Sequence, residues 1–218
     1  MRGLNRLFSR RSAAVACAGA ILALGVMVSG PAQAQGLDKA RQVVETVAEV
    51  GISEVVGAEL PQAEKIDRFR DLFTTYFDVP SIGRFVLGHN WRVASPEQQE
   101  RFLKLFQEAN VFTWARRFGD YDGQDLVIGQ ATRDGESGAF VDSRVEQAGG
   151  QQPIHVRWRL RERGDTYKVV DLIVEGVSMA ITYRQEYNSV IQQAGGDISV
   201  LNDRLASQLE RLKAEQGL

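Results

Sequence analysis

His89, His155 and Cys17 are the residues of this 218-residue chain best suited to metal or nucleophilic chemistry. Neither histidine has a second histidine at the H-x-x-x-H spacing of a metal helix, and the single cysteine lies in an uncharged run of small and apolar residues. These residues do not assemble a zinc site. No G-x-S-x-G elbow, P-loop or G-x-G-x-x-G fingerprint occurs. Asp171 is a stronger candidate. It shares the period of Val169 and Ile173, so partial burial is expected, and a buried carboxylate is either paired or raised in pKa. A salt bridge to Arg157 or Arg159 is the expected arrangement. The alternative is a general base. Arg157, Arg159 and Arg161 are spaced to share one strand face with His155. Such a face can bind phosphate or be simply solvated, and His155 reads as a solvated or rim residue. Large apolar side chains are what the chain supplies in quantity: Trp91, Trp114, Trp158 and ten phenylalanines. They can fill an ordinary core or line a cavity.

The elements that must position these residues follow from periodicity. Apolar residues at helical spacing run from Leu37 to Val56. A second helical stretch after Pro61 puts Ile66, Phe69, Leu72, Phe73 and Tyr76 on one face. Asp78 caps a short third helix that stops near Gly88. Ser95-Pro96-Glu97-Gln98 has the form of a capping box, and opens a helix carrying Phe102, Leu105, Phe106, Ala109 and Phe112. The period then changes to two. Strands are expected over Asp125–Arg133, Ala139–Gln147, Ile154–Arg161 and Thr166–Glu175, separated by glycine-rich turns that include Gly149-Gly150. The third is the clearest, with Ile154, Val156, Trp158 and Leu160 alternating against cationic residues. The fourth is apolar on both sides, with Val169 and Ile173 facing one way and Val170, Leu172 and Val174 the other, so both faces should be covered. Helices return over Ser178–Gln193 and Asp197–Lys213. The architecture is α+β: a four-stranded antiparallel curved sheet with helices packed on one face.

The N-terminus has a different composition. Arg2, Arg6, Arg10 and Arg11 precede an uncharged stretch from Ser12 to Val28, then Pro31 and the small-x-small triplet Ala32-Gln33-Ala34. This is the layout of a secretory signal peptide, with cleavage expected after Ala34. The residues after Arg10-Arg11 match a twin-arginine signal poorly, so the general secretory route is expected. Residues 35–218 would form one domain of mature protein. Cleavage removes four of the 26 basic residues and none of the 28 acidic ones, leaving a net charge of −6 and no cysteine. That excludes disulfides and argues against nucleic-acid binding.

The run Tyr76-Phe77-Asp78-Val79-Pro80-Ser81-Ile82-Gly83-Arg84-Phe85-Val86-Leu87-Gly88, with Trp91-Arg92 and Ser95-Pro96-Glu97-Gln98, resembles the MlaC family. These are periplasmic phospholipid carriers, also called toluene-tolerance or ABC-transporter auxiliary proteins. Tyr121, the strand Val156–Leu160, the run from Tyr167 to Ser178, Tyr183-Arg184 and the glycine pair at 195–196 extend the resemblance over roughly residues 37 to 213. Gly83 stands where alanine is expected, and His89 is unusual at its position.

The resemblance implies an NTF2-like fold with an apolar cavity, no cofactor, and a bound phospholipid as cargo with its headgroup outside. It implies a periplasmic monomer that shuttles between an outer-membrane lipoprotein–porin complex and an inner-membrane ABC transporter with an MCE-domain subunit, maintaining outer-membrane lipid asymmetry. The expected lining is Val141, Val145, Val156, Trp158, Leu160, Val170, Leu172 and Val174 from the sheet, closed by Phe85, Val86, Phe106 and Met179 from the helices. Two other readings are an NTF2-like enzyme with Asp171 as general base, and a transporter adaptor that binds no lipid.

Overall fold

A computed structural model describes residues 31–117, 124–147 and 151–218. The basic and apolar parts of the signal-like segment, Cys17, Tyr121 and Gly149-Gly150 lie outside the described residues. The first helix, α1, spans Pro31–Val50, and a π-helical segment continues it over Gly51–Val56. Four helices follow: α2 (Gln62–Tyr76), α3 (Val79–Leu87), α4 (His89–Val93) and α5 (Pro96–Ala115). Five strands come next: β1 (Leu126–Arg133), β2 (Gly138–Val145), β3 (Ile154–Arg163), β4 (Thr166–Val174) and β5 (Val177–Ser178). Two helices, α6 (Met179–Gln193) and α7 (Ile198–Glu215), close the chain.

The helix starts follow the capping chemistry in the sequence. Asp78 accepts the Ser81 N–H at 3.1 Å, and Ser95 and Gln98 exchange the two reciprocal bonds of a capping box at 3.2 and 3.0 Å. Ser178 and Asp197 cap α6 and α7 in the same way. The expected single helix from Leu37 to Val56 changes at Gly51, where the winding becomes π. There the Gly57 N–H reaches back five residues to the Ile52 carbonyl at 2.8 Å. Gly51, Ile52, Val55 and Val56 are all weak α-formers, so the regular helix is poorly defended there.

The strands form an antiparallel meander in sequence order. The sheet has a fifth strand beyond the four expected, because Val174-Glu175-Gly176-Val177 is a two-residue hairpin. Glu175 and Gly176 have φ of 49° and 81°, the left-handed pair that a type I′ turn requires. Simple alternation also fails on β4. A register shift between Arg159 and Leu160 pairs Arg159 with Asp171 but Leu160 with Val169. As a result Val169 and Leu172 share one apolar cluster, while Val170 packs into another.

Those two clusters organise the molecule. In one, Ala40, Val43, Val44 and Val47 of α1 lie against Val141, Trp158, Leu160 and Val169 of the sheet. The other is helical, with Phe102 and Phe106 of α5 packed among Ile66, Val86, Leu87, Leu201 and Leu205. A parallel bridge from Phe77 to Val169 ties the α2–α3 junction to β4. Gly83 allows α3 to approach α5 closely: a Cβ there would lie 2.5 Å from a methyl of Leu103.

Candidate functional site

An apolar space of about 460 Å³ opens between α1, the π-helical segment and the sheet. Its walls are Val47 and Ala48 of α1, Gly51, Ile52 and Val56 of the π-helical segment, Phe69, Trp114, and Leu126, Val145, Ile154 and Trp158 of the sheet. The polar residues of its lining are Arg117, Gln124 and Gln147. Trp158 is fixed in this wall. Its indole N–H donates to Ser143 Oγ at 2.9 Å, and that hydroxyl donates to the Val156 carbonyl at 3.0 Å.

A second chamber of about 50 Å³ lies deeper, among Phe73, Phe77, Ile82, Phe106, Leu172 and Met179. Trp114 is the one residue common to both linings. A third space of about 230 Å³ continues outward between α3, α6 and the arginine face of β3. It shares Ile82, Val170, Asp171 and Ala180 with the inner chamber.

The expected lining residues are spread over these spaces and the core. Val145 and Trp158 line the large cavity, and Phe106, Val170, Leu172 and Met179 line the inner chamber. Phe85, a residue 43% exposed, lines the outer groove together with Val170. Val86, Val141 and Leu160 are fully buried in the two clusters and border none of the three spaces. Val156 is half-buried against the sheet cluster, and Val174 is half-buried near the end of β4. Among the residues of the large cavity absent from the expected lining are Val47, Ile52, Val56, Phe69, Leu126 and Ile154. Nothing in their type separates them from core positions.

The polar candidates resolve into structural roles. Asp171 does not pair with Arg157 or Arg159. Its carboxylate accepts the Ser178 hydroxyl at 2.5 Å and the Ala180 N–H at 2.9 Å, at the start of α6. Arg157 pairs with Asp142 directly across the sheet, and Arg159 and Arg161 both pair with Asp134. Burial works to raise the Asp134 pKa, but hydrogen bonds from the two guanidinium groups hold it below the usual carboxylate value. Asp78 behaves alike: burial opposes ionisation, yet bonds from Ser81 and Arg163 keep its pKa low. Tyr183 and Tyr187 are pushed up by burial, and the Tyr183 hydroxyl donates to Asn110 at 3.1 Å. Both histidines are exposed, and no metal-ligating cluster occurs among the described residues. Among the described residues no helix is long and apolar enough to cross a membrane.

The family model for the MlaC protein matches residues 51–207. The chain belongs to the MlaC family. A relative within reach of that family is the intermembrane phospholipid transport system binding protein MlaC of Haemophilus influenzae. It is 29% identical over 126 residues, covering 56% of this chain and 58% of that protein. The toluene tolerance protein ttg2D of Pseudomonas putida is 25% identical over 123 residues, covering 56% of each. The chain thus spans a little over half the length of the curated relatives it matches. The fold resembles that of a phospholipid-binding protein from Ralstonia solanacearum, solved in complex with a phospholipid. The TM-score is 0.70 at 20% identity, over 80% of this chain and 98% of the other. The likeness establishes the shared α+β fold.

Proposed function

We propose that the protein is a phospholipid carrier of the periplasm. Its signal peptide is cut after Ala34, and residues 35–218 work as a single carrier domain. It takes a diacyl phospholipid with the tails inside and the headgroup outside. As a monomer it moves this cargo between an outer-membrane lipoprotein–porin complex and an inner-membrane ABC transporter with an MCE-domain subunit, and so maintains outer-membrane lipid asymmetry. The reading rests chiefly on one observation: a member of the MlaC family carries an apolar cavity of about 460 Å³ between α1, the π-helical segment and the sheet. The phospholipid-transport role named for the Haemophilus relative and the phospholipid held by the Ralstonia protein support it.

The physics of the cargo shapes the mechanism. At about 0.8 kcal/mol per methylene, exposing ~30 methylenes costs on the order of 24 kcal/mol. Binding has its own costs, so this gross figure is not an affinity. It still makes release into water very slow. Transfer must occur while the carrier is docked, with the tails passing from one apolar space to another. The chain contains no nucleotide-binding loop, so direction comes from the partners. The enzyme alternative places a general base at Asp171, but that carboxylate already accepts two hydrogen bonds at the start of α6.

Native mass spectrometry of the protein purified from the periplasm tests the proposal. The expected species begins at Gln35 and carries phospholipid. A lipid-free protein after gentle purification would overturn the carrier reading, and an intact N-terminus would overturn shuttling in favour of a tethered domain.

A further inference from the structure

Large apolar residues on the surface are few among the described residues: Phe85, Val93, Val177, Ile181 and the C-terminal Leu218. The first four fall in two short stretches, 79–96 and 176–185, and neither stretch contains an aspartate or a glutamate. The mature chain is acidic overall, with a net charge of −6. Two acid-free runs that also hold the exposed apolar residues are therefore a local departure from its composition. The fold brings them together. The first run forms α3 and α4, the second forms β5 and the start of α6, and α3 packs on α6. Phe85 and Ile181 line the same groove.

The cations of this face are free, whereas those beside it are not. Arg159 and Arg161 are paired with Asp134, and Arg163 with Asp78. Arg84, Arg92 and Arg184 have no carboxylate within ion-pair distance among the described residues. Two of them are set against aromatic rings instead. The Arg184 guanidinium lies 5.0 Å from the centre of the Phe85 ring, and that of Arg84 lies 5.5 Å from Trp91. Gly88, with φ of 58°, makes room for Arg184: a Cβ there would stand 3.0 Å from the guanidinium. Arg184 is thus packed in a half-buried position with its charge uncompensated. Cations interleaved with exposed apolar side chains, and free of acid, are the composition of a face that adheres to an anionic bilayer. The apolar positions are spread over α3, α4, β5 and α6 rather than gathered in one pocket, which suits an extended lipid surface better than a peptide segment.

We propose that the α3–α6 face is a docking surface for an anionic lipid bilayer. Phe85 and Ile181 enter the headgroup layer, and Arg84, Arg92 and Arg184 lie at the phosphates. The rest of the molecule is acidic overall and is repelled by the same bilayer. Attraction confined to one face therefore fixes the orientation of the protein on the membrane. Adhesion of this kind is weak and salt-sensitive, so the protein can also leave. The inference goes beyond the carrier reading and does not depend on cargo: adhering to a vesicle surface and holding a lipid in the interior are separate measurements.

The test sediments the mature protein with sucrose-loaded vesicles of equal parts phosphatidylglycerol and phosphatidylethanolamine, or of phosphatidylcholine alone. Binding at low salt should be at least fivefold tighter on the anionic vesicles, and should fall to the phosphatidylcholine level at about 0.5 M salt, where charges are screened within a few ångströms. Equal binding to both vesicles, or binding to neither, would overturn the proposal and leave the face to an acidic protein partner. Arg84→Gln should weaken binding about fivefold, the effect of one basic residue at an anionic surface. Ile181→Asp should weaken it at least tenfold. Both positions are exposed, and an unchanged melt checks that the fold survives. Arg211→Gln makes the same change in net charge on the exposed side of α7 and should leave binding within about twofold of wild type. Equal losses for Arg84→Gln and Arg211→Gln would show attraction by overall charge and overturn the assigned face. Vesicle adhesion by a protein that carries no lipid would defeat the carrier reading and leave this inference standing.

Discussion

Replacing Ser143 by alanine probes the wall of the large cavity. Ser143 and Trp158 are 6% and 7% exposed, and the serine hydroxyl stands between the indole N–H and the Val156 carbonyl. Alanine removes the acceptor and leaves a buried donor facing apolar surroundings. An orphaned buried donor costs about 1–3 kcal/mol. For a chain of this size each kcal/mol lowers Tm by roughly 2–4 °C, so Ser143→Ala should melt about 4–8 °C lower if the cost is near 2 kcal/mol. Trp158→Phe removes the donor and part of the ring, and carries its own cavity cost. In the double variant the hydroxyl has no donor left to satisfy, so the combined loss should fall short of the sum by about 1 kcal/mol. The assay is urea unfolding followed by circular dichroism on delipidated protein, because bound cargo would mask the difference. A Ser143→Ala cost below about 0.5 kcal/mol, or strict additivity in the cycle, would refute the claim that this hydrogen bond fixes the cavity wall.

Other perturbations reach other parts of the account. Ile154→Asp places a carboxylate in the large cavity and should reduce co-purified phospholipid more than tenfold, read by lipid extraction from protein that still melts cooperatively. Asp171→Asn should lower stability by about 1 kcal/mol through weaker bonding at the start of α6, while lipid transfer between vesicles survives; loss of transfer with an unchanged melt would revive a chemical role. The pKa values of Asp78 and Asp134 are lowered in the folded protein from the ordinary 3.8. The folded state thus binds protons less readily than the unfolded chain. These carboxylates stabilise the fold fully above about pH 4, and that contribution is lost as the pH falls through their folded-state values. Asp78→Asn should flatten the acid limb of a Tm-against-pH curve, and an unchanged limb would contradict the assigned ion pair with Arg163.

Much of the fold was legible in the sequence because its signals are local. Asp78, Ser95, Ser178 and Asp197 cap helices through bonds spanning two or three residues. The strand β3 was clear because Val156, Trp158 and Leu160 alternate strictly with arginines. The strand β4 was misread because its register is set by its partner: the shift opposite Arg159 moves Val169 and Leu172 to the same side, and no residue type announces it. The I′ turn at Glu175-Gly176 was missed because a glutamate with positive φ is uncommon and is held there by the hairpin. Helix α4, at five residues, is too short to show a period. The site was only partly legible. Val145, Trp158, Phe106, Val170, Leu172 and Met179 border the apolar spaces, but Ile52, Leu126 and Ile154 have the same chemistry as buried Val141 and Leu160. Whether an apolar side chain meets another side chain or a void depends on where α1 and the π-helical segment leave the sheet. That separation is a tertiary distance, absent from any local pattern.

The central claim is that phospholipid tails lie in the space between α1, the π-helical segment and the sheet. It is tested most directly by photo-crosslinking with a phospholipid bearing a diazirine on an acyl chain, followed by peptide mapping. The account predicts adducts on Ile52, Trp114, Leu126, Val145 and Ile154. Adducts confined to the outer surface of α7, or none in a protein that co-purifies with lipid, would contradict it.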